Sequence, residues 1–236
     1  MQGMKAFLLV GLLGLAFSAS IKIHEPVQID KLDLCKPCIS FTDQAIDEVL
    51  NIIVNGGVVG GCSDLCGKLG NQVESTVCDL LCDLVGIDAF IDLIKKADLD
   101  PIYFCELLKV CPVTNGGNAT IDHVGVEPTK GAIGTVFNIE MLFTVYNTTS
   151  TGEIAVNIKP PDGDPTGSTF VNEGYKPGRY GIRVEVKTDE QNKDGENVYQ
   201  PGNYGVEVLL CEGTCGSGHP HSAILGSQTT GFTITE

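Results

Sequence analysis

Ten cysteines are the residues of this 236-residue chain whose type and spacing bear most directly on chemistry. Eight stand at Cys35, Cys38, Cys62, Cys66, Cys78, Cys82, Cys105 and Cys111, and two follow near the end at Cys211 and Cys215. A thiolate can ligate a soft metal, act as a nucleophile, or be consumed in a disulfide. Cys35-x2-Cys38 has the gap of half a zinc site. Cys211-x3-Cys215 with His219 and His221 offers the donor types of another. An even cysteine count in an exported chain instead favours disulfides throughout, leaving no metal, no other cofactor and no free thiol.

Export is what the first residues imply. Met1 to Ser20 carries Lys5, an apolar run from Ala6 to Phe17, and the small residues Ser18-Ala19-Ser20. A charged start, an apolar stretch of about 7–15 residues and a small-residue end form a secretory signal peptide. The run is shorter than the roughly 20 residues a membrane span needs. A secreted protein is the expectation, with the endolysosomal lumen as the alternative.

The remaining candidate chemistry is sparse. Asn192-Lys-Asp194-Gly195 after Glu190 has part of a calcium loop, but Pro201 stands where the bidentate Glu belongs, so a solvated hairpin loop is expected. Asn118-Ala-Thr120 and Asn147-Thr-Thr149 are glycosylation acceptors in an exported chain. There is no G-x-S-x-G elbow and no paired-His metal motif, and the four His fall in loops or the N-terminal segment. No enzyme is expected, and no catalytic residue is assigned. Fifteen Lys and Arg against 30 Asp and Glu give a net charge of −15, which excludes nucleic acid as a general partner. It also disfavours simple electrostatic docking on anionic membranes.

These residues must be positioned by two regions of different texture. Between 31 and 112, apolar residues recur at helical spacing. Ile46, Val49, Leu50 and Ile53 follow Ser40 and Thr42 as possible caps, and Val73, Val77, Leu80, Leu81 and Leu84 precede Gly86 as a stop. Ile87, Phe90, Ile91 and Ile94 mark another helix. Asp100-Pro101 reads as a cap with Pro in the first helical position, opening a helix through Val110. This region holds 13 acidic and 6 basic residues.

Residues 113–120 read as a linker, and 121–236 as β. Thr135 to Tyr146 and Glu153 to Ile158 are strand-like, and Pro160-Pro161-Asp162-Gly163 is turn chemistry. Tyr175-Lys-Pro177-Gly178-Arg-Tyr180 is echoed by Tyr199-Gln-Pro201-Gly202-Asn-Tyr204, which predicts two related strands of one sheet. The fold class is α plus β in two domains: a disulfide-linked helical bundle, then an antiparallel β-sandwich of about seven strands, immunoglobulin-like in outline.

The first eight cysteines are separated by 2, 23, 3, 11, 3, 22 and 5 residues, close to a palindrome. Cys62 and Cys66, like Cys78 and Cys82, share one helix face at i and i+4. A helical hairpin could bridge Cys66 to Cys78 and Cys62 to Cys82, leaving Cys38 with Cys105 and Cys35 with Cys111. Spacing does not choose among the roughly hundred pairings that eight cysteines allow, although this nested one explains the near-symmetry. Each bridge would remove about 2–4 kcal/mol of unfolded-state freedom.

Cys35-Lys-Pro-Cys38, the Cys66 to Cys78 interval and Asp100-Pro101-Ile-Tyr-Phe-Cys105-Glu-Leu-Leu-Lys-Val-Cys111 resemble the six-cysteine framework of saposin B-type domains. The resemblance covers about 80 residues. It implies the pairs Cys35–Cys111, Cys38–Cys105 and Cys66–Cys78. Cys62 and Cys82 are extra to that framework. It also implies a lipid-binding clasp, although the apolar stripes fit a closed core equally well. With the β-rich tail, the Pro-Gly-x-Tyr strands and Cys211-Glu-Gly-Thr-Cys215-Gly-Ser-Gly-His219-Pro-His221, the whole chain resembles the countin proteins of social amoebae. That resemblance implies a secreted signalling component of a counting-factor complex that limits multicellular group size. Its partners would be other complex subunits and a cell-surface receptor, with a lipid or membrane surface as a further candidate. The alternative is an amoebapore-like lipid-binding or membrane-permeabilising protein of acidic compartments, or an activator presenting lipid to a hydrolase.

Overall fold

The computed structural model describes residues 34–55, 60–98, 100–189, 191 and 198–236. The export segment 1–20 lies outside these residues, as do Glu190, Asn192, Asp194 and Gly195 of the calcium-loop candidate. The chain is α plus β. A disulfide-rich helical region is followed by a β region of two sheets, one of them curled as a half-barrel.

Among the described residues five helices make the first region: α1 (Cys35–Asn55), α2 (Cys62–Cys66), α3 (Gln72–Val85), α4 (Ile87–Ala97) and α5 (Pro101–Leu107). Helix α1 starts earlier than Ser40 or Thr42 would have it. Thr42 is buried inside the helix and its Oγ1 donates to Cys38 O at 2.9 Å, a helix-interior contact rather than a cap. Asn71 caps α3 by accepting from Val73 N at 2.9 Å, while its Nδ2 donates to Glu74 Oε1. Gly86, at φ 82°, lets the chain turn from α3 directly into α4. Asp100 caps α5 with Pro101 next, and the helix ends at Leu107 rather than Val110.

Phe41, Leu65, Leu81, Phe90, Ile94 and Phe104 fill this core, with Phe90 edge-on to Phe104 at 5.8 Å. The apolar positions of α3 divide between inside and outside. Cys78, Leu81 and Cys82 are buried, but Val73, Leu80 and Leu84 are exposed, Val73 by 71%. The bonds from Cys78 and Cys82 to α2 set the rotation of α3, so its remaining apolar arc faces outward.

The β region comprises β1 (Asn118–Glu127), β2 (Lys130–Ala132), β3 (Val136–Asn147), β4 (Gly152–Lys159), β5 (Thr166–Asn172), β6 (Gly178–Lys187), β7 (Gly202–Glu212) and β8 (Ala223–Thr235). One sheet has the order β1-β3-β6 and the other β2-β8-β7-β4-β5. Among the described residues there are eight strands where about seven were expected, and one of their pairings is parallel, β2 with β8. It arises because the chain passes from β1 into the opposite sheet instead of making a hairpin. Residues 118–120, expected in a linker, form the start of β1, with Ala119 buried. Phe137, Tyr204 and Phe232 stack between the sheets, beside Ile139, Met141, Val206 and Val208.

The two Pro-Gly strands fall in different sheets, β6 in the first and β7 in the second, not in one sheet. Their common feature is the corner. Tyr180 Oη donates to Lys176 O at 2.8 Å, and Tyr204 Oη donates to Gln200 O at 2.9 Å while accepting from Gln200 N. Each tyrosine ties its strand back to the turn that feeds it, whichever sheet receives the strand.

Candidate functional site

The helical and β regions meet through the starts of α1 and α5 on one side and the strand-end loops and β5 on the other. Asp100 is held at the N-terminus of α5 by its capping role, with Oδ1 accepting from Tyr103 N at 3.0 Å. The same oxygen accepts from Thr214 Oγ1 at 2.9 Å, and Oδ2 accepts from Ser217 Oγ at 2.6 Å. Thr214 and Ser217 lie in the turn after β7, which the Cys211–Cys215 disulfide closes. Cys215 N donates to Glu153 Oε1 at 2.8 Å, and Ser150 N donates to Glu212 Oε1 at 2.7 Å. Thr151 N and Oγ1 both donate to Pro112 O at 3.0 Å, fixing the connecting segment to the β3–β4 turn. The ring of His219 stacks on Tyr103 with centroids 4.4 Å apart.

This junction concentrates negative charge. Glu106, on the second turn of α5, is 7% exposed and its Oε1 has no hydrogen-bond partner. Burial, then the nearby Asp100 and Glu212 carboxylates, push its pKa from the ordinary 4.5 to about 8. Burial and Asp100 raise Asp43 on α1 as well. Glu153 is raised by burial, lowered by the Cys215 N–H bond, and raised again by Asp100 and Asp43. Lys36 of α1 pairs with Glu173 after β5, a further contact between the regions, whereas Arg183–Glu140 lies within the β1-β3-β6 sheet. Five carboxylates from α1, α5, its cap, β4 and β7 therefore face one another where the two regions join. An open groove of about 640 Å³ runs beside them, lined by Asp98, Asp100, Thr214, Ser217 and His219. The arrangement binds the two regions together and gathers carboxylates whose pKa values burial and mutual repulsion raise.

The structure joins Cys35 to Cys111, Cys38 to Cys105, Cys62 to Cys82 and Cys66 to Cys78, with Cα separations of 4.6, 6.0, 5.7 and 5.6 Å. Among the described residues no His, Cys, Asp and Glu cluster could hold a metal ion. Cys211 is bonded to Cys215, His219 is engaged with Tyr103, and His221 sits in an exposed turn at φ 66°. Asn118 and Asn147 are exposed cross-strand partners on β1 and β3. The junction carboxylates escaped the sequence reading. The one signal was Glu106 itself, an acid inside the apolar run Ile102 to Leu108 and next to a bridging cysteine.

Family models described as the Countin N-terminal domain and the Countin C-terminal domain match residues 33–109 and 119–236. Countin-3 of Dictyostelium discoideum is 41% identical over 200 residues, covering 85% of this chain and 89% of that protein. The chain belongs to the countin family. Countin-1 of the same organism is 39% identical over 208 residues, covering 88% of this chain and 80% of its own length. Countins are components of the secreted counting factor that regulates group size, and the family is a non-enzymatic signalling one. Among solved structures, a Pseudomonas fluorescens alkylpurine DNA glycosylase has a TM-score of 0.46 at 14% identity, covering 79% of this chain and 55% of its own. A likeness that weak carries no argument for this countin.

Proposed function

We propose that this countin is secreted into an extracellular counting factor and limits group size through protein contact, by binding other subunits and a cell-surface receptor. The observation that carries the reading is the match of both countin domains along one chain, 33–109 and 119–236. On this reading residues 1–20 are a signal peptide, 31–112 a saposin B-type domain and 121–236 a β-sandwich. The bridges Cys35–Cys111, Cys38–Cys105 and Cys66–Cys78 support the saposin B-type reading. The strand order and the Tyr204 corner support an immunoglobulin-like outline for the β-sandwich. Glycans at the exposed Asn118 and Asn147 belong to the same reading. The test is gene deletion with add-back of purified protein. Altered group size on deletion, restored by add-back, is the expected result; unchanged group size in both overturns it.

Exposed Val73, Leu80 and Leu84 on α3 favour a second reading, contact with lipid. The acidic surface repels anionic lipid until carboxylates protonate near pH 4. Leakage of anionic vesicles should therefore be stronger at pH 4.5 than at pH 7, and equal leakage counts against it.

A further inference from the structure

Single apolar residues at a surface are ordinary. Tyr146 differs because its ring is fixed in place, with a glycan acceptor opposite it. The register of β1 with β3 pairs Ala119 with Val145 and then Asn118 with Asn147, which leaves Tyr146 as the extra residue of a bulge. Asn118 therefore has both Tyr146 and Asn147 opposite it. Ala119 and Ile121 are buried, so alternation places Asn118 and Thr120 on the outer face of the β1-β3-β6 sheet.

Tyr146 is 53% exposed, and its Oη lies 3.3 Å from Thr120 Oγ1. Thr120 Oγ1 donates in turn to Asp122 Oδ1, and the other oxygen of Asp122 accepts from Thr144 Oγ1 at 2.7 Å. The ring thus starts opposite Asn118 and is tethered two residues further along β1, which lays it beside the Asn118 side chain. Asn147 is turned aside, its Nδ2 donating to Gly116 O at 3.2 Å, so Asn118 is the acceptor next to the ring.

We propose that the first sugar of an Asn118-linked glycan packs against the ring of Tyr146 and covers this end of the sheet. The inference rests on the reading of Asn118 as an occupied acceptor. During export, Asn118 Nδ2 gives up a proton and bonds to C1 of an N-acetylhexosamine. The bond from C1 to the lipid pyrophosphate carrier breaks, and the carrier leaves as the pyrophosphate anion. One side of such a sugar ring presents mainly C–H groups. These are attracted to the negative face of an aromatic ring, and both surfaces leave water. Covalent attachment one strand spacing away, about 5 Å, gives the sugar an effective concentration that no free partner matches.

The test uses the full secreted chain carrying Asn147→Gln, so that Asn118 is the acceptor beside Tyr146. Peptide mass mapping reads both the occupancy of Asn118 and the nitration of Tyr146 by tetranitromethane. Three forms are compared: the intact glycan, the glycan trimmed by an endoglycosidase to its first sugar, and Asn118→Gln. Nitration of Tyr146 should be slow in the first two and fast in the third. The thermal midpoint should hold on trimming and fall by about 2–4 °C in Asn118→Gln. With Tyr146→Thr in place, Asn118→Gln should leave the midpoint unchanged. Equal nitration of the trimmed form and Asn118→Gln overturns the inference and leaves the glycan reading intact. So does a loss in Asn118→Gln that persists with Tyr146→Thr. An unoccupied Asn118 overturns both.

Discussion

Asp100 and Ser217, 117 residues apart, share a 2.6 Å hydrogen bond while the same carboxylate caps α5. Local helix termination and the joining of two regions thus depend on one side chain. Asp100→Ala should lower stability by about 2–4 kcal/mol, combining a lost cap with two lost charge-assisted bonds. Ser217→Ala should cost only about 1 kcal/mol. Urea denaturation of both variants and of their double mutant checks this. A double mutant no worse than Asp100→Ala identifies the carboxylate as the shared partner, and strict additivity contradicts it.

Glu106 makes the junction pH-dependent, and the sign follows from its raised pKa. A carboxyl whose folded pKa lies at about 8, above its ordinary 4.5, contributes stability that is complete below pH 4.5 and lost as pH rises through about 8. Raised values at Asp43 and Glu153 act in the same direction. The thermal midpoint should therefore be higher at pH 5 than at pH 8. Glu106→Gln should gain about 1–3 kcal/mol at pH 8, the usual cost of a buried unsatisfied polar group, and little at pH 5. Equal gains at both pH values would contradict ionisation as the cause.

The nested bridges should not contribute equally. Cys35–Cys111 closes a separation of 76 residues and Cys62–Cys82 one of 20. Loop-closure entropy makes the longer one worth about 1 kcal/mol more. Replacing both cysteines of a pair by Ala, one pair at a time, and comparing guanidinium midpoints provides the measurement. The order should reverse only where reduced chains keep residual structure.

Tyr204 and Tyr180 occupy equivalent corners but differ in burial. Tyr204 is 4% exposed and its hydroxyl makes two backbone bonds, whereas Tyr180 makes one from a more open position. Tyr204→Phe should cost about 1–2 kcal/mol, because two part-buried backbone bonds to Gln200 are lost, and Tyr180→Phe about 1 kcal/mol or less. Thermal unfolding of the two variants ranks them.

What the sequence determined alone was local or compositional. Apolar periodicity and the cap Asp100-Pro101 specify helices within one turn's reach, and Pro-Gly-x-Tyr specifies a corner whose hydrogen bond spans four residues. Cysteine spacing with the tail motif carried the family resemblance, since spacing is a property of the chain and not of its packing. Tertiary structure decided the rest. Which sheet receives β6 and which receives β7 depends on pairing partners distant in sequence, so two similar strands part company. The outward turn of Val73, Leu80 and Leu84 follows from where the bonds of Cys78 and Cys82 hold α3, and helical periodicity cannot tell one apolar arc from the other. The carboxylate junction was illegible for the same reason: Asp43, Asp100, Glu106, Glu153 and Glu212 are unremarkable acids until two regions bring them together. Charge repulsion and burial are functions of distance in space, and the chain states only distance in sequence.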